Sequence, residues 1–302
     1  MLSDKKKLKL QETGFICSVL AFPLAMFAIF YLFVNVSSFA MAFQTVDANF
    51  NWGFAGLQNF KDVIAKITQY GGLLGTAFKN NLLIFVVTFV VGFPLNMLFS
   101  YYLFKGYFAH QVIRFIVMLP SILSGMVMSL LFLKFVETSF PEMMNTFFSV
   151  EIGNLLEGDT AVGTIIFYML WTGFTSSLIL YPNAMNAIDD GIIESAQLDG
   201  VNTLQELWYI IMPLIYPTIT TFFVTGVAAL FTNGGPLFAF YYNDAPAEVW
   251  TMGYYLSVQT VFGEGVTAYP FMSALGMMLT LITVPLVMLV KNIMEKCDPA
   301  ND

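Results

Sequence analysis

"DDGIIESAQLDGVNTLQELWYIIMP", Asp189 to Pro213, carries five acids and no Lys or Arg, with a glycine near its middle and a proline at its end. It interrupts a chain of 302 residues that is 58% hydrophobic and only 11% charged, with a mean hydropathy of +0.74. Apolar residues gathered into long runs at that composition belong in a bilayer. An acidic break between two such runs is a loop at the membrane surface, and the fold is read outward from it.

A hydrocarbon core about 30 Å thick takes roughly 20 apolar residues as a helix, and lipid offers no water to unpaired backbone groups. Spans are expected at 13–43, 80–104, 112–136, 161–183, 209–232 and 271–291. None shows the period-2 alternation of a membrane β-barrel. The fold class is therefore an all-α integral membrane protein of about six transmembrane helices. The first run follows "KKKLK" and is roughly twice the length of a signal-peptide apolar region, so it reads as retained. At about 1.5 Å per residue it exceeds the bilayer and must tilt, bend near Pro23 or project.

Basic residues favour the cytoplasmic side of short loops. With the N-terminus inside, Lys5, Lys6, Lys7, Lys9, Lys105, Arg114, Lys291 and Lys296 fall in the cytoplasm, against Lys61, Lys66, Lys79 and Lys134 outside. Both termini are then cytoplasmic, in a multi-pass protein of the cell membrane. The formal charge of -8 comes mostly from loop carboxylates and argues against nucleic acid or anionic lipid as partner. Cys17 and Cys297 imply no structural disulfide.

On this topology the opening stretch is cytoplasmic, yet it lacks the basic residues that lipid headgroups attract. Its second half places Leu204, Leu207, Trp208 and Ile211 on one helical stripe, with Thr203 and Glu206 at capping-box spacing. Its first half, about Asp190 to Leu198, sets Ile188, Ile192 and Ala196 on one side and its acids near the helix start. Gly200 supplies a left-handed turn between the two. The pattern alone fits a solvated interhelical loop as well as it fits a compact docking knob.

The chain itself is not expected to hydrolyse anything. The chain has no G-x-x-x-x-G-K-[ST] phosphate loop. Its single histidine, His110, sits in the loop after span two and excludes an HExxH site or a Ser-His-Asp arrangement. No catalytic residue, metal or bound cofactor is expected, and Glu142, Glu151, Glu157 and Asp159 read as a solvated outer face. Phe60, Val63, Ile64, Ile67 and Tyr70 oppose Lys61, Asp62, Lys66 and Gln69, with Gly71-Gly72 following: a short amphipathic helix that either lies along the outer membrane surface, packs on the outer ends of the spans or contacts a partner there.

The centres of spans three to six carry essentially no ionised side chain. Buried membrane charges usually mark ion or proton pathways, so their absence weakens ion-coupled transport and the passage of an anionic solute. A neutral polyol fits better, bound by hydroxyl-bonding groups and aromatic faces. Tyr168, Trp171, Thr172, Ser176 and Ser177 in span four, with Asn233 near the outer end of span five, are the candidate path residues.

Glu194-Ser195-Ala196, then Gly200, then Ile210-Ile211-Met212-Pro213 resembles the EAA motif of permease subunits in binding-protein-dependent ABC importers. It departs at Ser195 for Ala and at Met212 for Leu. "QLDGVN" is similar to the iDGA core of the carbohydrate branch, with Val201 in place of a small residue. The likeness extends through "FAGLQNF" (Phe54–Phe60), "VIRFIVMLPSILSG" (Val112–Gly125), "NGGPLFAF" from Asn233 and "SALGMMLT" from Ser273. The tail lacks the aromatic-basic ending of the second permease type, so the chain resembles the first type, as in maltose, lactose and multiple-sugar systems.

The resemblance implies a type I importer permease fold: a cytoplasmic tail 1–12, a transmembrane permease domain 13–292 with its coupling loop at 185–213, and a tail 293–302. It implies that Glu194, Ser195, Ala196, Asp199, Gly200, Ile210, Met212 and Pro213 couple to a separate ATPase, Glu194 pairing with a basic group there. Pro213, in the first turn of a span, would cost no essential hydrogen bond. The implied partners are a second permease forming a heterodimer, two ATPase subunits that hold ATP and Mg, an extracellular solute-binding protein, and a di- or oligosaccharide. An ion-coupled secondary transporter, a membrane scaffold subunit and an importer of a non-sugar solute such as glycerol phosphate are the competing readings.

Overall fold

Among the described residues of the computed structural model, four helices are long and apolar enough to cross a bilayer: Glu12–Ala42, Leu73–Phe104, Gly158–Met185 and Gly265–Lys296. Two more regions qualify only as bent pairs. His110–Ile122 and Gly125–Phe148 meet at 105°, and Thr203–Leu214 and Tyr216–Ala228 at 75°. The structure describes residues 2–47, 49–263 and 265–299, without the side chains of residues 2–11 and Ser176. Lys5, Lys6, Lys7 and Lys9 therefore lie outside the described side chains.

The all-α reading with about six spans holds if each bent pair counts once. The spans expected at 112–136 and 209–232 miss the breaks within them, because apolar content does not register a change of backbone direction. The second span begins at Leu73, not residue 80. Asn80 and Asn81, at the expected start of that span, are both buried.

The chain divides into two units, Met1–Ile64 with Gly263–Met278, and Ala65–Phe262 with Leu279–Asp302. In the first, the helix from Leu2 continues beyond Pro23 and turns π-helical over Phe27–Phe33, a local unwinding of the kind that follows a missing backbone donor. An unforeseen hairpin comes next, with Gln44–Val46 antiparallel to Trp52–Phe54. Its turn is organised by Asp47, whose carboxylate accepts from the amides of Asn49 and Asn51 and from Asn51 Nδ2. Those bonds, the Asn51 side chain first, hold the Asp47 carboxyl below the usual carboxylate range.

The amphipathic helix forms as Gln58–Thr68. Asn59 Nδ2 donates to the carbonyls of Ala42 and Gln44, and the Phe60 ring lies 5.2 Å from that of Phe43. Val63 is buried, whereas Ile64 and Tyr70 are exposed, against the expected apolar face. The described helix stops at Thr68, so Tyr70 falls beyond the face it was assigned to.

In the second unit, span four connects two differently built ends. Met185 leads into the Asp189–Pro213 loop over a core of Met97, Tyr101, Tyr181, Met185, Ile193, Leu207, Ile211, Ile215 and Ile219. The other end contains two short helices that the sequence reading left unassigned, Leu237–Tyr241 and Met252–Phe262. Asn80 Nδ2 donates to the carbonyls of Glu248 (2.6 Å) and Trp250 (2.9 Å). Asn81 donates to Leu230 O and accepts from the amide of Met252, both at 2.6 Å. These two amides tie the start of span two to both sides of the 230–252 segment.

Gly253 closes that junction. A Cβ there would stand 2.6 Å from Gly234 N and from Thr232 O, which are backbone atoms with nowhere to move. Gly253→Ala is therefore expected to destabilise the protein by about 1–3 kcal/mol, the usual cost of overpacking. Gly163→Ala, in span four where a Cβ meets nothing within 4 Å, serves as the control that keeps its stability. Thermal unfolding of the two variants in detergent makes the comparison.

Candidate functional site

The Asp189–Pro213 loop is two helices joined at a glycine. Asp189 caps Asp190–Leu198, its carboxylate accepting from the amide of Gly191 at 2.7 Å. The helix ends on Gly200, at φ +79°. The amide of Gly200 bonds Gln197 O and that of Val201 bonds Ala196 O, which is the paired closure of a Schellman motif. The left-handed turn expected at Gly200 is present, and Val201 takes the position whose apolar contact completes such a turn.

Ile193 and Ala196 face inward, while Ile192 is exposed. Ile188 packs against the same core, so the inward face differs from the expected Ile188, Ile192 and Ala196 set only in that Ile193 takes the place of Ile192. Glu194, Ser195 and Asp199 point outward with Gly200. Ser195 Oγ donates back to Gly191 O at 2.7 Å. Leu198, 89% exposed, adds an apolar side chain to this acidic outer surface.

The second helix is capped by Asn202 and Gln205, each bonding the other's backbone amide at 3.0–3.1 Å. The expected pair, Thr203 and Glu206, is shifted by one residue. Glu206 starts a π-helical stretch, Glu206–Ile211, and the wider turn alters which residues face the core. Leu207 and Ile211 are buried; Leu204 and Trp208, predicted on the same stripe, are exposed. Ile210, Met212 and Pro213 are half-buried. The backbone breaks at Ile215, between Pro213 and Pro217, at φ -96° and ψ 10°.

Two cavities flank span four. One, of about 290 Å³, lies among spans two, four and five and is bordered by Asn81, Thr88, Phe89, Asn96, Ser177, Tyr181 and Phe223. The other, of about 490 Å³, opens at the break of span three and is bordered by Ser121, Ser129, Tyr168, Thr172 and Thr175. Met169, Gly173 and Asn233 border both. No Asp, Glu, Lys, Arg or His lines either one among the described residues.

The predicted path residues divide accordingly. Tyr168 and Thr172 line the larger cavity, Ser177 the smaller, and Asn233 both. Tyr168 is buried, its hydroxyl 2.8 Å from Ser129 Oγ and its ring 4.9 Å from that of Phe132. Trp171 lines neither cavity; it packs on Phe132 and Tyr168 at 6.0 and 6.3 Å, a bulk that suits helix packing. The Ser176 side chain lies outside the described residues.

Ser121, Ser129, Thr175, Asn81 and Asn96 were missed in the sequence. Thr175 Oγ1 donates to Val117 O and Ser121 Oγ to Met118 O, satisfying carbonyls near the Pro120 break. Asn96 did offer a signal, as an amide inside the apolar run "FPLNMLF".

Residues 83–300 match the family described as binding-protein-dependent transport system inner membrane component. That interval holds the whole loop and every cavity residue except Asn81. The multiple sugar-binding transport system permease protein MsmF of Streptococcus mutans is 24% identical over 220 residues, covering 72% of this chain and 74% of its own. The maltose/maltodextrin transport system permease protein MalF of Salmonella typhimurium is 26% identical over 163 residues, 50% of this chain and 31% of its own. MalF of Escherichia coli K12 is 24% identical over 219 residues, 64% and 42% respectively. The chain thus spans less than half the length of these maltose permeases.

Two crystal structures share the fold. A chain of a bacterial ABC transporter involved in the import of the acidic polysaccharide alginate superposes with a TM-score of 0.77 at 17% identity, covering 96% of this chain and 99% of that one. A chain of the alginate transporter in complex with a pentasaccharide-bound periplasmic protein gives 0.76 at 18% identity, covering 96% and 98%.

Asn81 borders one cavity and pins the segment that carries Asn233. Asn81→Ala strands the amide of Met252 and the carbonyl of Leu230, at about 1–3 kcal/mol for each buried group left unpaired. Asn233→Ala loses one local bond to the amide of Gly235 at an exposed site. A lowered unfolding midpoint in detergent for the first variant and an unchanged one for the second is the expected result.

Proposed function

The chain belongs to the family of binding-protein-dependent transport system inner membrane components, multi-pass permease subunits of ABC transporters, and from that premise we propose that it forms the path of a neutral di- or oligosaccharide in an ATP-driven importer. In this reading the chain lies in the plasma membrane with both termini and the Asp189–Pro213 loop in the cytoplasm. A second permease completes the path as a heterodimer. Two ATPase subunits hold ATP and Mg, this chain binds no cofactor, and an extracellular solute-binding protein delivers the sugar.

The lining of the two cavities carries the choice of cargo. Amides from Asn81, Asn96 and Asn233, hydroxyls from Ser129, Thr172 and Ser177, and rings from Phe89, Tyr168 and Phe223 suit the hydroxyls and C–H faces of a sugar. An acidic polysaccharide or glycerol phosphate asks for cations, and an ion-coupled transporter asks for titratable groups along the path; neither cavity supplies them. MsmF and MalF, named for multiple sugars and for maltose and maltodextrin, support the same class.

The coupling role rests on the exposed acidic face of the loop. Its outward Asp190, Glu194 and Asp199, with Leu198, suit a groove that is apolar with basic edges, and the buried Ala196 and Ile193 fix the helix to the bundle. Ser195, Gly200, Ile210, Met212 and Pro213 complete the coupling set by shaping the two helices and the turn into span five.

Mild-detergent purification of the tagged chain from native membranes tests this. A phosphate-loop ATPase and a second permease are expected to copurify, and Glu194→Lys is expected to lose the ATPase while leaving the chain inserted. Recovery of the chain alone would overturn the importer reading. Gly200→Val forces a β-branched residue to φ +79°, a left-handed conformation that costs about 1–2 kcal/mol for an L-residue. Uptake into proteoliposomes should fall at least tenfold with that variant. With the wild type, radiolabelled maltotriose, lactose and raffinose are compared with glycerol phosphate and an alginate oligosaccharide; accumulation of the anions alone would refute a neutral cargo.

A further inference from the structure

A buried carboxylate and a half-buried ammonium meet where the loop joins the bundle, and nothing in the transport scheme above gives them a task. Lys105 Nζ lies 2.6 Å from Glu206 Oε1, with side-chain exposures of 16% and 4%. The ammonium sits 5.8 Å from the ring centre of Tyr101 and 5.9 Å from that of Phe104. Lys105 is the residue on which the second span ends, where a cation is also favoured by the helix dipole. Glu206 opens the π-helical stretch of the loop. Since Asn202 and Gln205 form the capping box, the Glu206 carboxylate is free to turn inward.

We propose that Lys105 and Glu206 are a positioning pair that carries displacement of the Asp189–Pro213 loop into the span Leu73–Phe104, so that the two move as one body. The proposal rests on the importer reading. Apolar contacts of the loop with the bundle, through Leu207 and Ile211, are non-directional and permit sliding. Parting the two charges is different, because each would be left bare in a poorly solvated site. The same span borders the smaller cavity through Asn96, nine residues or about 14 Å of helix before Lys105. A pull on Glu206 therefore reaches the cavity wall along a single helix.

Pulsed electron spin resonance on the complete copurified assembly tests the pair. Spin labels are placed at Leu98→Cys and Leu204→Cys, both exposed positions, after Cys17 and Cys297 are replaced by serine. Distances are read without nucleotide and after trapping with ATP and vanadate. The wild type should give one unshifted peak in both states. Lys105→Met with Glu206→Met, which keeps the bulk and removes the charges, should shift or broaden on trapping. Lys105→Glu with Glu206→Lys should return the unshifted peak.

A wild-type distance that moves on trapping overturns the proposal whatever the variants do. So does an apolar pair that holds its distance, or a swapped pair that behaves like the apolar one, which would assign the rigidity to packing. If no ATPase copurifies with the wild type, the importer reading fails first, by a separate observation, and the proposal falls with it.

Discussion

A carbonyl or amide in the interior of a bilayer has no water to turn to, and the bends of this chain are placed where side chains can take water's part. Pro120 removes a donor from the third span. Near the break, Thr175 reaches Val117 O and Ser121 turns back to Met118 O, while Ser124 receives the amide of Val127. Asn80 and Asn81 perform the same service for the non-helical backbone around Leu230, Glu248, Trp250 and Met252. Irregular backbone occurs beside the cavities because polar side chains gather there to satisfy it, and those same side chains line the cavities.

This accounts for two cavities that no ionised side chain lines among the described residues. Hydroxyls and carboxamides can satisfy a bent backbone at little desolvation cost, whereas an unpaired charge at the same depth would cost far more. The described buried ion pair of the chain, Lys105 with Glu206, is kept at the loop end of the second unit, away from either cavity. Polar chemistry is thus divided by kind: neutral groups along span four, opposite charges at the junction of loop and bundle.

The outward side of the loop and its inward side obey different rules. Its inward residues, Ile193, Ala196, Leu207 and Ile211, are set by packing. Its outward residues, Glu194, Ser195 and Asp199, meet no such demand. Asp190, Glu194 and Asp199 stand with the exposed Leu198 on a helix capped by Asp189 and closed by a Schellman turn.

The class of the protein, the approximate places of its spans and the acidic loop with its glycine were legible in the sequence, because each depends on local composition. Long apolar runs admit few alternatives in lipid, and Gly200 meets a backbone need that few other residues meet. The amphipathic helix was legible as well, apart from the exposed Ile64 and Tyr70. What stayed hidden depended on partners far along the chain. Asn81 carried no signal until Leu230 and Met252 were beside it; Glu206 looked like a cap until Lys105 lay 2.6 Å away; Trp171 looked like a path residue, yet it packs on Phe132 and Tyr168 and borders neither cavity. Sequence alone determined that the chain is a bundle of membrane helices with an acidic loop that turns at a glycine, since hydrophobicity and turn chemistry are properties of neighbours. Only the tertiary structure decided where the helices break and which polar side chains meet, since a hydrogen bond or ion pair depends on the spatial position of a partner that local sequence does not specify.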